Sequence, residues 1–294
     1  MRRNIVAVIA VCAALAIGLA LGAGPLNRDN TAKAATTPTI TRDDSALRAK
    51  AQEGDDFASA VGPALLKGRL AGQHVALVVL PGADDDTVTA LGDGVEAAGG
   101  DVTSTLTLAG SSLDSGSRTL VDTLGVQLSK QLKSGVRKSD TTYVRFGEMV
   151  GLSVGTASGH GGELGTDQQT ARASLTTAKL ATETGGKTSA PLVLLVLGDD
   201  QSVDSGILAA FVEGVATNVH GVVVTGSAGS GADGDLKALR DELAAAAGDH
   251  PVATVDGDDT AIGQTVAVLA LVRQITGGGG SFGASGVDGF QPLA

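Results

Sequence analysis

Aromatic residues are scarce in this chain: five Phe and one Tyr among 294 positions, and no Trp. A stacking platform for bases or sugars needs several aromatic faces, so it has almost nothing to stand on here. Positive charge is short as well. Lys and Arg number 21 against 32 Asp and Glu, a formal net charge of −11, and a field of that sign repels a polyanion whose binding depends on displacing counterions. Nucleic acid is therefore not an expected partner. Cys12 is the only cysteine, so no intrachain disulfide forms, and stability outside a reducing compartment must come from packing. What is present in quantity is Val, Leu, Ile and Ala within a 43% hydrophobic total, enough for one large core or two modest ones.

Arg2 and Arg3 precede a charge-free run, Ile5 to Gly24, long enough to cross a bilayer at about 1.5 Å per residue. Paired arginines hold the start in the cytoplasm. The expectation is an uncleaved single-pass membrane anchor over residues 1–26, with everything after it extracytoplasmic. Ala14, Gly18 and Gly22 recur every fourth position and share one helix face, which allows a second helix to approach closely and so a homodimer. Residues 27–69 read as a polar linker and a short helical neck. Leu47, Phe57, Val61 and Leu65 give that neck an apolar stripe, which Gly54, Gly62 and Pro63 are expected to break or kink.

The stretch "HVALVVLPGADDD" opens the main domain, residues 70–276, with an apolar run of strand length, a loop, and Val88, Leu91 and Val95 at helical spacing. The same grammar returns after Pro191, after His220 and after His250. Strands buried on both faces that alternate with amphipathic helices predict an α/β fold with a Rossmann-like, mostly parallel, doubly wound sheet. Residues 111–190 are less regular; Leu120, Leu124, Leu128 and Leu132 suggest one helix within an excursion between sheet halves. Residues 277–294 read as a Gly-rich flexible tail.

Each carboxylate run stands where a strand gives way to a helix. The first N–H groups of a helix lack partners there, which predicts Asp86, Asp204 and Asp259 as N-caps rather than metal ligands. "GSGADG", Gly229 to Gly234, has the dinucleotide-loop spacing with Asp256 beyond the next strand, but the glycine at the strand end is Gly226, from which the spacing is off. "GLSVG", Gly151 to Gly155, has the spacing of a nucleophile elbow but lies among further glycines instead of between strand and helix. Neither predicts catalysis, and the chain is read as a non-enzyme. His74, His220 and His250 each stand just before a predicted strand, on one edge of the sheet, where imidazoles can hold a borderline metal.

The anchor's "ALAIGLALGAG", the block from "DDFASAVGPALL" through "VVLPGADDDTVTALGDGVEAAGG", and "VATVDGDDTAIGQTVAVLALVRQITGGGGSFG" together resemble the actinobacterial MctB family of copper transport or envelope proteins, which includes the cell-separation factor SteB. The resemblance implies a single-pass anchor, an external Rossmann-like domain, no catalytic residues, copper as cargo and a role in copper efflux. It also admits an envelope scaffold that acts on a protein partner in cell separation. Soft donors outside the anchor are few: Met149 and four scattered histidines.

Overall fold

The computed structural model describes residues 40–199, 203–246 and 250–293. Ala14, Gly18, Gly22 and the apolar run around them lie outside the described residues. Among those described, no helix is long and apolar enough to cross a membrane. By its contacts the chain parts between Lys50 and Ala51, and the sheet belongs wholly to the second part.

Helix α1 (Ile40–Leu66) runs without interruption through the three residues expected to break it. Pro63 falls in its last turn, where the Pro63 carbonyl still accepts Lys67 N–H at 3.1 Å. Within residues 51–66 the small residues have a packing use that offsets their low helix propensity. A Cβ on Gly62 would come within 3.0 Å of Thr265 Oγ1, Ala58 and Leu66 are buried, and Asp55 Oδ1 accepts Ala261 N–H at 2.6 Å.

The remaining elements follow in order. They are β1 (His74–Val79), α2 (Asp85–Ala97), β2 (Asp101–Leu108), a short 3-10 turn, α3 (Arg118–Gln131), α4 (Thr142–Val154), β3 (Gly162–Glu163), α5 (Thr166–Thr177), β4 (Ala181–Gly185) and β5 (Thr188–Ser189). Then come β6 (Leu192–Val196), α6 (Ser205–Thr217), β7 (Gly221–Gly226), α7 (Ala228–Asp233), α8 (Asp235–Ala246), β8 (Val252–Asp256), α9 (Ala261–Gln274) and β9 (Gly280–Phe282). Seven strands make one sheet in the order β4-β2-β1-β6-β7-β8-β9. Every pairing is parallel except β2 with β4. The chain steps from β1 outward to β2 and later returns to β6 on the other side of β1, so the order reverses between β1 and β6. Ligands gather at such a reversal in open α/β sheets.

Alternate residues of the central strands feed two separate cores, which is why those strands read as unbroken apolar runs. Ala76, Val78, Val193 and Leu195 face one core with α3, α4 and α6. Val75, Leu77, Leu192 and Leu194 face the other with α2 and α9.

Residues 111–190 are far more regular than the sequence suggests: beside α3 they hold α4, α5 and the edge strand β4. Helix α4 is buried along nearly its whole length, so it has no polar face to reveal its period. It crosses α6 backbone to backbone. A Cβ on Gly147 would stand 2.0 Å from the Phe211 carbonyl oxygen, and one on Gly214 2.0 Å from that of Val144. Strand β9 is a second difference. It lies in the stretch assigned to a flexible tail, yet it pairs with β8 and buries Phe282, whose ring has the Arg273 guanidinium 5.8 Å from its centroid.

Candidate functional site

The C-terminal ends of β1, β6, β7 and β8 border a cleft of about 730 Å³ at the strand-order reversal. Six aspartates line it, Asp84, Asp85, Asp86, Asp199, Asp258 and Asp259, and none of its described lining residues is basic. Local backbone demand accounts for several of them. Asp84, not Asp86, is the N-cap of α2: its backbone is extended, with φ −77° and ψ 130°, and its Oδ2 accepts Thr87 N–H at 2.9 Å and Thr87 Oγ1–H at 3.1 Å. Asp86 is already inside the first turn, where a cap's extended backbone is unattainable. Thr260 caps α9 in place of Asp259, accepting Gly263 N–H at 3.1 Å. Asp259 instead turns sideways to accept Ala228 N–H at 3.0 Å. Asp204 caps α6, with Ile207 N–H at 3.0 Å from its Oδ1. Asp199 accepts Ser227 Oγ–H at 2.8 Å.

Asp258 differs from these. The residue is only 3% exposed, and burial, followed by the charges of Asp259, Asp199 and Asp256, pushes its carboxyl up to about 7. The Thr225 hydroxyl is the neighbour that favours the ionised form, yet among the described residues neither Thr225 Oγ1 nor Asp258 Oδ2 has a hydrogen-bond partner of proper geometry. At the same strand end Asp256 is opposite in character. Burial pushes its carboxyl up, but hydrogen bonds from Ser285, Arg240 and the Ser285 and Ala284 amides outweigh that and hold it below the usual range. Arg240 Nη1 lies 3.0 Å from Asp256 Oδ2, and Ala284 N–H donates at 2.7 Å.

Structural hydrogen bonds occupy key residues of two of the sequence motifs. Asp256, placed to receive a ribose hydroxyl in a dinucleotide reading, spends both oxygens on Arg240 and the C-terminal segment. The glycines of "GSGADG" lie in or beside the short α7 instead of leading from a strand end into a long helix. Ser153 of "GLSVG" is fully buried in α4 and donates to the Val150 carbonyl at 2.8 Å, so its oxygen serves its own helix.

The opposite, N-terminal edge of the sheet carries the imidazoles. His74 begins β1, with Nδ1 3.2 Å from Asp101 Oδ2. His220 immediately precedes β7 and places Nε2 3.0 Å from the Ile275 carbonyl oxygen. His250 is exposed, two residues before β8 and so one strand beyond His220. His160, which the sequence does not group with His74, His220 and His250, stands on the loop between α4 and β3. Gly155 pairs with Ala190 at the entry of β6, and Gly162 exchanges hydrogen bonds with Ser189. The loop is thereby pinned over the edge between β1 and β7. Nothing local in the sequence fixes that path.

Among the described residues no three His, Cys, Asp or Glu side chains stand together as a ready metal site. The two edges nevertheless differ in donor chemistry. Carboxylates at the C-terminal edge suit hard cations, whereas imidazole suits copper. Met149 is fully buried in the core, which removes the described thioether from any surface site.

The profile of a family described as "Copper transport outer membrane protein, MctB" matches residues 1–292. Proteins named "Copper transporter MctB" from Mycobacterium bovis and Mycobacterium tuberculosis are each 26% identical to this chain over 312 residues, covering 95% of it and 93% of the relative.

Proposed function

The chain belongs to the MctB family, and from that premise we propose that it acts in copper transport or efflux at the cell envelope, without catalysis, as a single-pass anchored protein with a Rossmann-like domain outside the cytoplasm. The observation that carries this reading is the reach of the family match, residues 1–292, which takes in the apolar N-terminal run as well as the α/β domain. Support for the anchor comes from Arg2 and Arg3 ahead of a charge-free stretch. Support for the fold comes from helices on both faces of a parallel sheet whose order reverses between β1 and β6. For a role without chemistry, the support is that Ser153 and Asp256 are occupied by structural hydrogen bonds.

The test is a deletion strain compared with its parent and with a strain complemented by the full chain. Deletion should raise intracellular copper and lower tolerance to added copper salts, and complementation should restore both. Equal copper content and tolerance in all three strains would remove copper handling as the function.

A further inference from the structure

Strand spacing sets the scale of the N-terminal edge. Val75, Leu192 and Gly221 form one row across β1, β6 and β7, so the entries of β1 and β7 stand roughly 10 Å apart, two strand spacings. His74 and His220 sit at those entries. The loop carrying His160 is pinned at the entry of β6, between them, by Ala190 and Ser189. Its glycines touch both neighbours. A Cβ on Gly161 would fall 2.4 Å from His74 Cδ2, and one on Gly159 would lie 3.8 Å from His220 Cε1 and 4.0 Å from its Nδ1. His160 stands between those two glycines.

The ring nitrogens complete the picture. A carboxylate or a carbonyl only accepts, so His74 donates from Nδ1 to Asp101 and His220 donates from Nε2 to Ile275. In the neutral imidazoles this leaves His74 Nε2 and His220 Nδ1 with lone pairs that no hydrogen bond among the described residues uses, on the ring edges that adjoin the glycine loop. Metal-binding histidines are held by this kind of hydrogen bond from the other ring nitrogen, to a carboxylate or a backbone carbonyl.

We propose that His74, His160 and His220 form a three-imidazole site for Cu(II) at the N-terminal edge of the sheet, closed by rotation of the exposed His160 side chain on its glycine-flanked loop. Nitrogen donors with no thiolate among the described residues favour the oxidised ion over Cu(I). Asp101 and the Ile275 carbonyl orient the outer two rings, and the loop supplies the third ligand. The site rests on the copper reading of the chain but differs from the trio read from the sequence, because His250 lies one strand past His220 and away from the loop.

The test uses the full chain in mild detergent, titrated with Cu(II) against a competing chelator and followed by electron paramagnetic resonance. One Cu(II) should bind with the splitting of several equivalent nitrogens. H160A, H74A and H220A should each weaken binding at least tenfold, while H250A leaves it unchanged. Urea midpoints of each variant check the fold, and exposed His160 provides the variant least able to disturb it. Native affinity in H160A, or a loss in H250A equal to that in H220A, overturns the assignment. The two readings fail separately: a deletion strain with normal copper content removes the function, whereas raised copper in the deletion strain together with undiminished Cu(II) binding in H160A removes only this site.

Discussion

At the scale of single residues, two aspartates two positions apart are driven in opposite directions. Asp258 holds its proton up to about pH 7, while the same group in an unfolded chain releases it near its ordinary value. Across that interval the native state binds the extra proton, so stability should fall as pH rises, at about 1.4 kcal/mol per unit, and level off above it. Asp258→Asn should flatten this slope and leave the variant more stable than the parent at pH 8, as read from urea midpoints at pH 5 and pH 8. An unchanged slope would place the titration elsewhere. Asp256 works the other way: its carboxyl is held below the usual range, so its contribution is present above the unfolded value and lost as pH falls through the folded one. Arg240→Ala strands that buried carboxylate, with an expected loss of about 3–5 kcal/mol in urea unfolding at neutral pH. The N-caps show what sequence resolves at this scale. Three successive aspartates announce that a cap is present, but which one serves depends on the backbone angles at Asp84, and composition does not carry those.

Elements were legible where burial was two-sided and continuous. β1, β6, β7 and β8 show themselves as Val- and Leu-rich runs, and the helices after them as apolar stripes. Helix α4 was hidden for a related reason, since Tyr143, Phe146, Met149, Val150 and Val154 are buried together with its glycines, and a helix enclosed on all sides has no period. β4, "ATETG", is partly exposed at a sheet edge, and its pairing with β2 depends on distant residues. The meeting of α4 and α6 gives a direct test. Gly214→Ala forces the helices apart against backbone, beyond the ordinary overpacking cost of about 1–3 kcal/mol, and should lower the urea midpoint strongly. Gly147→Ala should do the same. The double variant should lose less than the sum, because helices already separated admit the second methyl group more easily. Strict additivity would mean that the two glycines do not share one crossing.

For the molecule as a whole, the chemistry is sorted between the two ends of one sheet: aspartates at the C-terminal edge, imidazoles at the N-terminal edge. The imidazole end was partly legible, because His74 and His220 adjoin apolar runs; His160 was not, because only the Gly155–Ala190 bridge brings its loop there. Crowded like charge in the cleft and a net charge of −11 should make the protein more stable in salt. Raising NaCl from 10 to 500 mM shortens the screening length from about 30 Å to a few ångströms and should raise the urea midpoint. A fall would show that ion pairs such as Arg240–Asp256 outweigh the repulsion.

The way the C-terminal segment doubles back over β9 bears on a different matter, crowding on a surface. Ser281 N–H donates to Asp288 Oδ2 at 2.8 Å, Asp288 N–H returns to the Ser281 carbonyl at 2.8 Å, and Gly283 N–H reaches the Gly289 carbonyl at 2.8 Å. These bonds occupy polar groups of a rim that would otherwise recruit a strand from a neighbouring copy. Molecules held side by side in two dimensions meet far more often than free ones, and an open rim there would seed edge-to-edge polymers. On the β9 side the strap would deny a neighbouring copy that template.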